Sequence, residues 1–133
     1  MNRICVDTSA YSRFMAGKPD AVEVIGTARD VGMPVIVLGE LRTGFRLGTR
    51  TTENERRLME FLSNPSVRVL DVDDETAGHY AGLVVDMRRR GQPVPTNDIW
   101  IAALALRDGA TLVTADHHFD RMRSVSVKLL SAS

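Results

Sequence analysis

Apolar positions along this chain fall into two alternating arrangements. Short β-branched runs at Ile4–Val6, Pro34–Leu38, Val67–Val72 and Thr111–Thr114, flanked by Gly, Pro or Asp, read as strands. A fifth run, Val125–Leu130, follows near the end. Longer stretches with helical apolar spacing lie between them. They predict helices from Asp20 to about Arg29 with Asp20 as N-cap, and from Gly39 to about Leu47. Another runs from Thr52 to about Leu62, with Thr52 and Glu55 at the spacing of a capping box. A fourth runs from Asp74 to about Arg90, stopped by Gly91, and a fifth from a Thr96 cap to Asp108, stopped by Gly109. Short strands alternating with helices predict an α/β fold with a mostly parallel sheet. No repeat, linker or low-complexity segment interrupts the pattern, and 133 residues suit one domain over positions 1–133.

Acidic residues recur just beyond the strands. Asp7 follows the first directly, Glu40 lies two residues past the second, and Asp116 lies two residues past Thr114. In a parallel sheet these positions share the carboxyl edge, where open α/β sheets bind ligands. Asp98 sits in the first turn of the helix after Thr96, which also starts near that edge. Each acid alone has an ordinary reading, as a cap, a dipole partner or an Asx-turn residue. Four together repel one another and need a cation to remain ionised. An all-oxygen set selects a hard ion, Mg²⁺ or Mn²⁺, with room for one ion or two. Carboxylate-held metals suit phosphodiester hydrolysis, in which they activate water, orient the phosphate and stabilise the leaving oxygen.

Composition narrows the setting. The single cysteine, Cys5, lies in an apolar run, so no intramolecular disulfide forms; it reads as a buried small hydrophobe in a reducing, cytoplasmic protein. The N-terminus lacks the apolar core of a signal peptide, and no apolar stretch has the length of a membrane span. With 17 basic and 17 acidic residues the net charge is zero, so any nucleic-acid contact must be local. All the basic residues except Lys18 and Lys128 are Arg, the side chain with a planar fork for phosphate, although a GC-rich gene explains that bias equally well.

The segments VDTSAY, LGELRTG, PTNDIWIAALAL and LVTADHHF, in this order and spacing, resemble the PIN domain, and more narrowly the VapC-type toxins of bacterial toxin–antitoxin pairs. The resemblance implies a single three-layer α/β/α domain whose acids hold Mg²⁺ or Mn²⁺. It implies a cytoplasmic endoribonuclease that cuts single-stranded or looped RNA by metal-activated water. It also implies a homodimer held in check by a cognate antitoxin. By position, Asp7, Glu40, Asp98 and Asp116 match the family's four catalytic, metal-holding acids. Thr8 or Ser9 matches the small hydroxyl residue after the first acid, with a supporting or substrate role or else a plain turn role.

Other residues carry weaker signals. His117 and His118 follow Asp116 and read first as structural or solvated residues; adjacent histidines point apart, so only one, taken here as His118, could instead support the site by binding metal or giving up a proton. Asp120 reads as a cap or surface charge before a fifth acid, and His79 as a helix-surface or packing residue. Arg42, Arg46 and Arg50, spaced by four, would form one basic helix face beside the acids for RNA contact. Arg88, Arg89 and Arg90 complement a helix C-terminus. Thr114 reads as a strand residue, Trp100 and Ile101 as core, and Met15, Met33, Met59, Met87 and Met122 as packing. A receiver-type phosphotransfer domain would pair acids after an early strand and place a Lys beyond the last, but Asp7 stands alone and Lys128 is within the final strand. A dehalogenase-like phosphatase would show Asp-x-Asp where this chain has Asp7-Thr8-Ser9, and no Gly-rich phosphate loop or nucleophile elbow occurs. The remaining alternative is a weakly catalytic PIN-like module that binds RNA or protein. A missing acid would favour it, and none is missing.

Overall fold

The computed structural model describes residues 3–131. Its centre is a sheet of five parallel strands: β1 (Arg3–Val6), β2 (Asp30–Pro34), β3 (Val67–Leu70), β4 (Thr111–Thr114) and β5 (Val127–Leu129), in the order β3-β2-β1-β4-β5. Six helices flank it: α1 (Thr8–Met15), α2 (Pro19–Gly26), α3 (Val35–Leu47), α4 (Thr51–Leu62), α5 (Asp74–Arg89) and α6 (Thr96–Asp108). A 3₁₀ turn spans His117–Arg121. This is the α/β/α arrangement with the parallel sheet that the sequence predicts. Burial follows from it. In the central strand Ile4, Cys5 and Val6 are fully buried, as a strand covered on both faces requires. In α6, Ile101 through Ala105 are equally enclosed. No helix among the described residues is long and apolar enough to cross a membrane.

The strand order reverses between β1 and β4. β2 and β3 are added on one side of β1, β4 and β5 on the other. Chains leave the carboxyl ends of β1 and β4 in opposite directions, which opens a crevice between them. The opposite edge is closed by ion pairs between side chains. Arg3 and Arg68 contact Asp30 at 3.1 and 2.9 Å, and Arg68 contacts Asp108 at 2.9 Å.

Several expected boundaries move. The second strand covers Asp30–Pro34 rather than Pro34–Leu38. Residues 31–38 form one nearly continuous apolar stretch, in which a strand and a buried helix look alike. Pro34 divides it: the residue ends β2 opposite Leu70, and its φ of −58° starts α3. Val37, Leu38 and Leu41 then bury a helical stripe. The carboxyl-edge helix α1 has no counterpart among the predicted helices, because its TSAYSRFM is short, rich in small polar residues and fully buried only at Ala10 and Tyr11. α2 is capped by Lys18 and starts at Pro19, so Asp20 lies inside it and receives Arg13 instead. It ends at Gly26, short of Arg29. The Thr52–Glu55 capping box does not form, since Glu55 pairs with Arg42 at 2.9 Å. A capping box exists at Asp73–Thr76. Pro95, not Thr96, stands at the cap of α6, whereas Gly109 ends that helix in the left-handed region at φ 64° as expected. β3 and β5 are shorter than their apolar runs. Met33, Met87 and Met122 pack in the core, but Met59 is 56% exposed.

Candidate active site

The crevice begins with Asp7. It leaves β1 in extended conformation and caps α1, so the turn from strand to helix fixes its side chain. Its carboxylate is 4% exposed and enclosed by donors. Oδ1 accepts from the Ala10 amide and the Ser9 hydroxyl, both at 2.8 Å, and Oδ2 accepts from the Thr114 hydroxyl at 2.5 Å. Burial pushes its carboxyl above the usual range; bonds from Thr114, Ala10 and Ser9 pull it down, and the charge of Asp116 adds to the rise. Ser9 Oγ in turn accepts from the Ala115 amide at 3.0 Å, and Thr114 Oγ1 accepts from the Asp116 amide at 2.9 Å. Two hydroxyls therefore join the end of β1 to the end of β4. Thr114 is the strand residue expected, and a supporting group as well.

Glu40 reaches the crevice from α3, where it is the sixth residue counted from Val35. Its move from the first to the second helical turn follows from the earlier end of β2 at Pro34, which starts α3 at Val35 rather than Gly39. Thr8 donates to Oε1 at 2.6 Å, and Asn97 approaches Oε2 at 3.4 Å. Asp98 projects from the first turn of α6. Burial, then the charges of Asp116, Glu40 and Asp7, push its carboxyl up to about 6, while His118 opposes the shift. Asp116 caps the 3₁₀ turn, accepting from the His118 amide at 2.9 Å. The His118 ring returns towards the acids, with Nδ1 at 3.2 Å from Asp116 Oδ1 and 3.8 Å from Asp98 Oδ2.

The four acids thus influence one another across the crevice, and ligand atoms of Asp98, Asp116 and His118 lie within 4.8 Å of each other. Among the described residues no Lys or Arg forms an ion pair with any of the four. The negative charge is left for something else to neutralise, and the donor set, oxygen-rich with one imidazole, suits a hard divalent cation. Asp120 is exposed on the 3₁₀ turn.

Asn97 was not singled out in the sequence. Its place beside Asp98 in a first helical turn is the signal that points to it. The expected basic face does not assemble beside the acids. α3 ends at Leu47, so Arg50 falls outside it at the cap of α4. Arg42 and Arg46 lie about 200° and 240° around the helix from Glu40. Arg42 is also paired with Glu55, while Arg46 is exposed. Trp100 is half-buried and stacks on Tyr80 with centroids 3.9 Å apart, and Ile101 is core.

The PIN-domain family profile matches residues 4–125. Ribonuclease VapC4 of Mycobacterium tuberculosis is 31% identical over 127 residues, covering 96% of each chain. Ribonuclease VapC11 of the same organism is 36% identical over 124 residues, covering 88% of this chain and 89% of that one. The solved structure of VapBC2 from Rickettsia felis, bound to a DNA fragment from its promoter, superposes with a TM-score of 0.83 at 23% identity over 96% of this chain and 98% of that one. That identity shows a shared fold. VapBC-5 from Mycobacterium tuberculosis, of the VapBC family of toxin–antitoxin systems, gives 0.73 at 28% identity over 99% and 100%.

Proposed function

This chain belongs to the PIN-domain family, with VapC ribonucleases among its relatives, and we propose that it is a divalent-metal-dependent endoribonuclease acting as the toxin of a toxin–antitoxin pair. One observation carries the reading. Four carboxylates, two at the caps of α1 and the 3₁₀ turn and two within α3 and α6, face the switch-point crevice, with Asp98 held up to about 6 by burial and by the other three. Such a cluster is costly unless a cation is bound.

Asp7, Glu40, Asp98 and Asp116 would hold Mg²⁺ or Mn²⁺. The bound ion supplies positive charge that polarises a phosphodiester and acidifies water. The chain's own groups prepare the site. Ser9, Thr114 and the Ala10 amide fix the direction of the Asp7 carboxylate and oppose the upward push of burial on its carboxyl. Thr8 and Asn97 orient Glu40, one oxygen each. Exposed Arg46 is a phosphate contact for RNA outside the crevice, whereas the charge of Arg42 is already matched by Glu55.

The antitoxin partner follows from relatives solved as VapBC pairs. Two clefts, of about 280 and 300 Å³, run beside α1 and share Met15 and Arg57. Tyr11, Leu41 and Phe45 line one, Phe14, Ile25 and Phe61 the other, which suits an amphipathic segment. A two-fold homodimer is part of the same proposal. The test is cleavage of structured and single-stranded RNAs with Mg²⁺, with Mn²⁺ and with chelator. Equal cleavage in chelator would refute the metal mechanism.

A further inference from the structure

We propose that His118 is itself a ligand of this metal ion, through Nδ1, so that the site binds Mn²⁺ in preference to Mg²⁺; the inference rests on the metal-dependent reading above. The ring is 45% exposed, yet Nδ1 is the part turned inward: it is shielded from solvent and has no hydrogen-bond partner. It faces two carboxylate oxygens, at 3.2 and 3.8 Å. A nitrogen lone pair aimed at carboxylate oxygens with no hydrogen bond between them is relieved by a cation that all three atoms share. Ligand atoms about 2.1 Å from one ion stand roughly 3.0 Å apart in cis and 4.2 Å apart in trans. Both separations from Nδ1 to the carboxylate oxygens fall within that span.

The ring is also held in place. Phe119, its neighbour, is 1% exposed and anchors the 3₁₀ turn in the core. Arg90 donates to the carbonyl of Arg121, and Arg121 donates to the carbonyl of Pro93 at 2.9 Å, which ties the far end of the turn to the segment before α6. Asp116 holds the near end. Asp98, on α6, and His118, on the turn, are thereby fixed to one another, as a preformed ligand pair requires. An imidazole among carboxylates changes ion preference. Mg²⁺ favours oxygen donors and retained water, whereas nitrogen donors favour the transition series, in which affinity rises from Mn²⁺ to Co²⁺.

The test uses the full chain loaded with one equivalent of Mn²⁺. Pulsed electron paramagnetic resonance should show the nitrogen modulation of a coordinated imidazole. The signal should persist in His117→Ala and vanish in His118→Gln, whose amide can still hold the acids by hydrogen bonding. By calorimetry, His118→Gln should lose at least about tenfold in Mn²⁺ affinity and less than about threefold in Mg²⁺ affinity. Bound Mn²⁺ with no nitrogen modulation in wild type overturns the ligand assignment and leaves the metal reading standing. Equal losses for both ions in His118→Gln overturn the preference. Failure of wild type to bind Mn²⁺ overturns this inference and the metal-dependent reading together.

Discussion

The Thr114 hydroxyl donates to Asp7 Oδ2 at 2.5 Å, joining residues 107 positions apart at the ends of adjacent strands β4 and β1. Thr114 Oγ1 also accepts from the Asp116 amide at 2.9 Å, so one side chain sets the relation between two of the acids. Thr114→Val keeps the shape and removes the donor. The buried Asp7 carboxylate should then rise further, at a cost of about 1–3 kcal/mol. Urea unfolding of Thr114→Val and Thr114→Ser measures this. Serine should recover most of the loss; equal midpoints for wild type and valine would mean that the hydroxyl contributes nothing.

Asp98→Asn removes a carboxylate that its neighbours oppose. The metal-free variant should be more stable than wild type by roughly 1–2 kcal/mol at pH 7, and should lose most of its thermal shift with Mn²⁺. Melts with and without the ion read both effects. A variant that melts lower than wild type without metal, or shifts with Mn²⁺ as wild type does, removes Asp98 from the cluster.

The pH dependence has a definite sign. Asp98 has a folded pKa of about 6 against an ordinary 3.8, so its contribution to stability is full below 3.8 and is lost as pH rises through 6. Asp7 is shifted in the same direction by its burial. Asp73 is shifted down to about 2 by Thr76 and Arg107, and its contribution is lost only as pH falls through that value. The stability gap between Asp98→Asn and wild type, both without metal, should therefore be largest near pH 7 and close by about pH 4. A gap that is constant with pH would show that Asp98 is ionised normally. Cleavage should climb from pH 6 towards 8, because the ion needs ionised ligands. A steep fall over that range, abolished in His118→Ala, would assign the pH dependence to the histidine instead.

Much of the site was legible because Asp7 and Asp116 sit immediately beyond short β-branched strands, and Asp98 beside a clear helix start. A parallel sheet sends all such positions to one edge. The path to Glu40 was less legible. The apolar stretch around Pro34 reads equally as strand or helix, and only pairing of β2 with β1 and β3 decides where it turns. Helix α1 was hidden because Asp7 makes it with a cap and two buried residues, too few for a periodic signal. The inward turn of His118 depends on the 3₁₀ turn, whose anchoring through Arg90, Arg121 and Phe119 is entirely tertiary. The arginine spacing of four suggested a continuous helix that Gly48 and Thr49 in fact interrupt.

Toxicity and its control can be separated by one substitution. Expression of the wild type in a bacterial host should arrest growth, Asp98→Asn should not, and co-expression of the cognate antitoxin should relieve the arrest. Met15 lies where the two apolar clefts meet. A soluble Met15→Glu variant should stay toxic and escape the relief, because a charge there opposes an apolar segment. Relief as complete as for wild type would place the antitoxin elsewhere.

The most direct test is RNA cleavage measured against Mn²⁺ concentration for wild type, Asp98→Asn and Asp116→Asn, with metal binding followed in the same samples. Cleavage by wild type should rise with the fraction of bound ion and stop in chelator, and both variants should lose binding and cleavage together, by about a hundredfold or more in rate. Cleavage that persists in chelator, or that survives in either variant after metal binding is lost, would contradict a metal-dependent nuclease built on these acids.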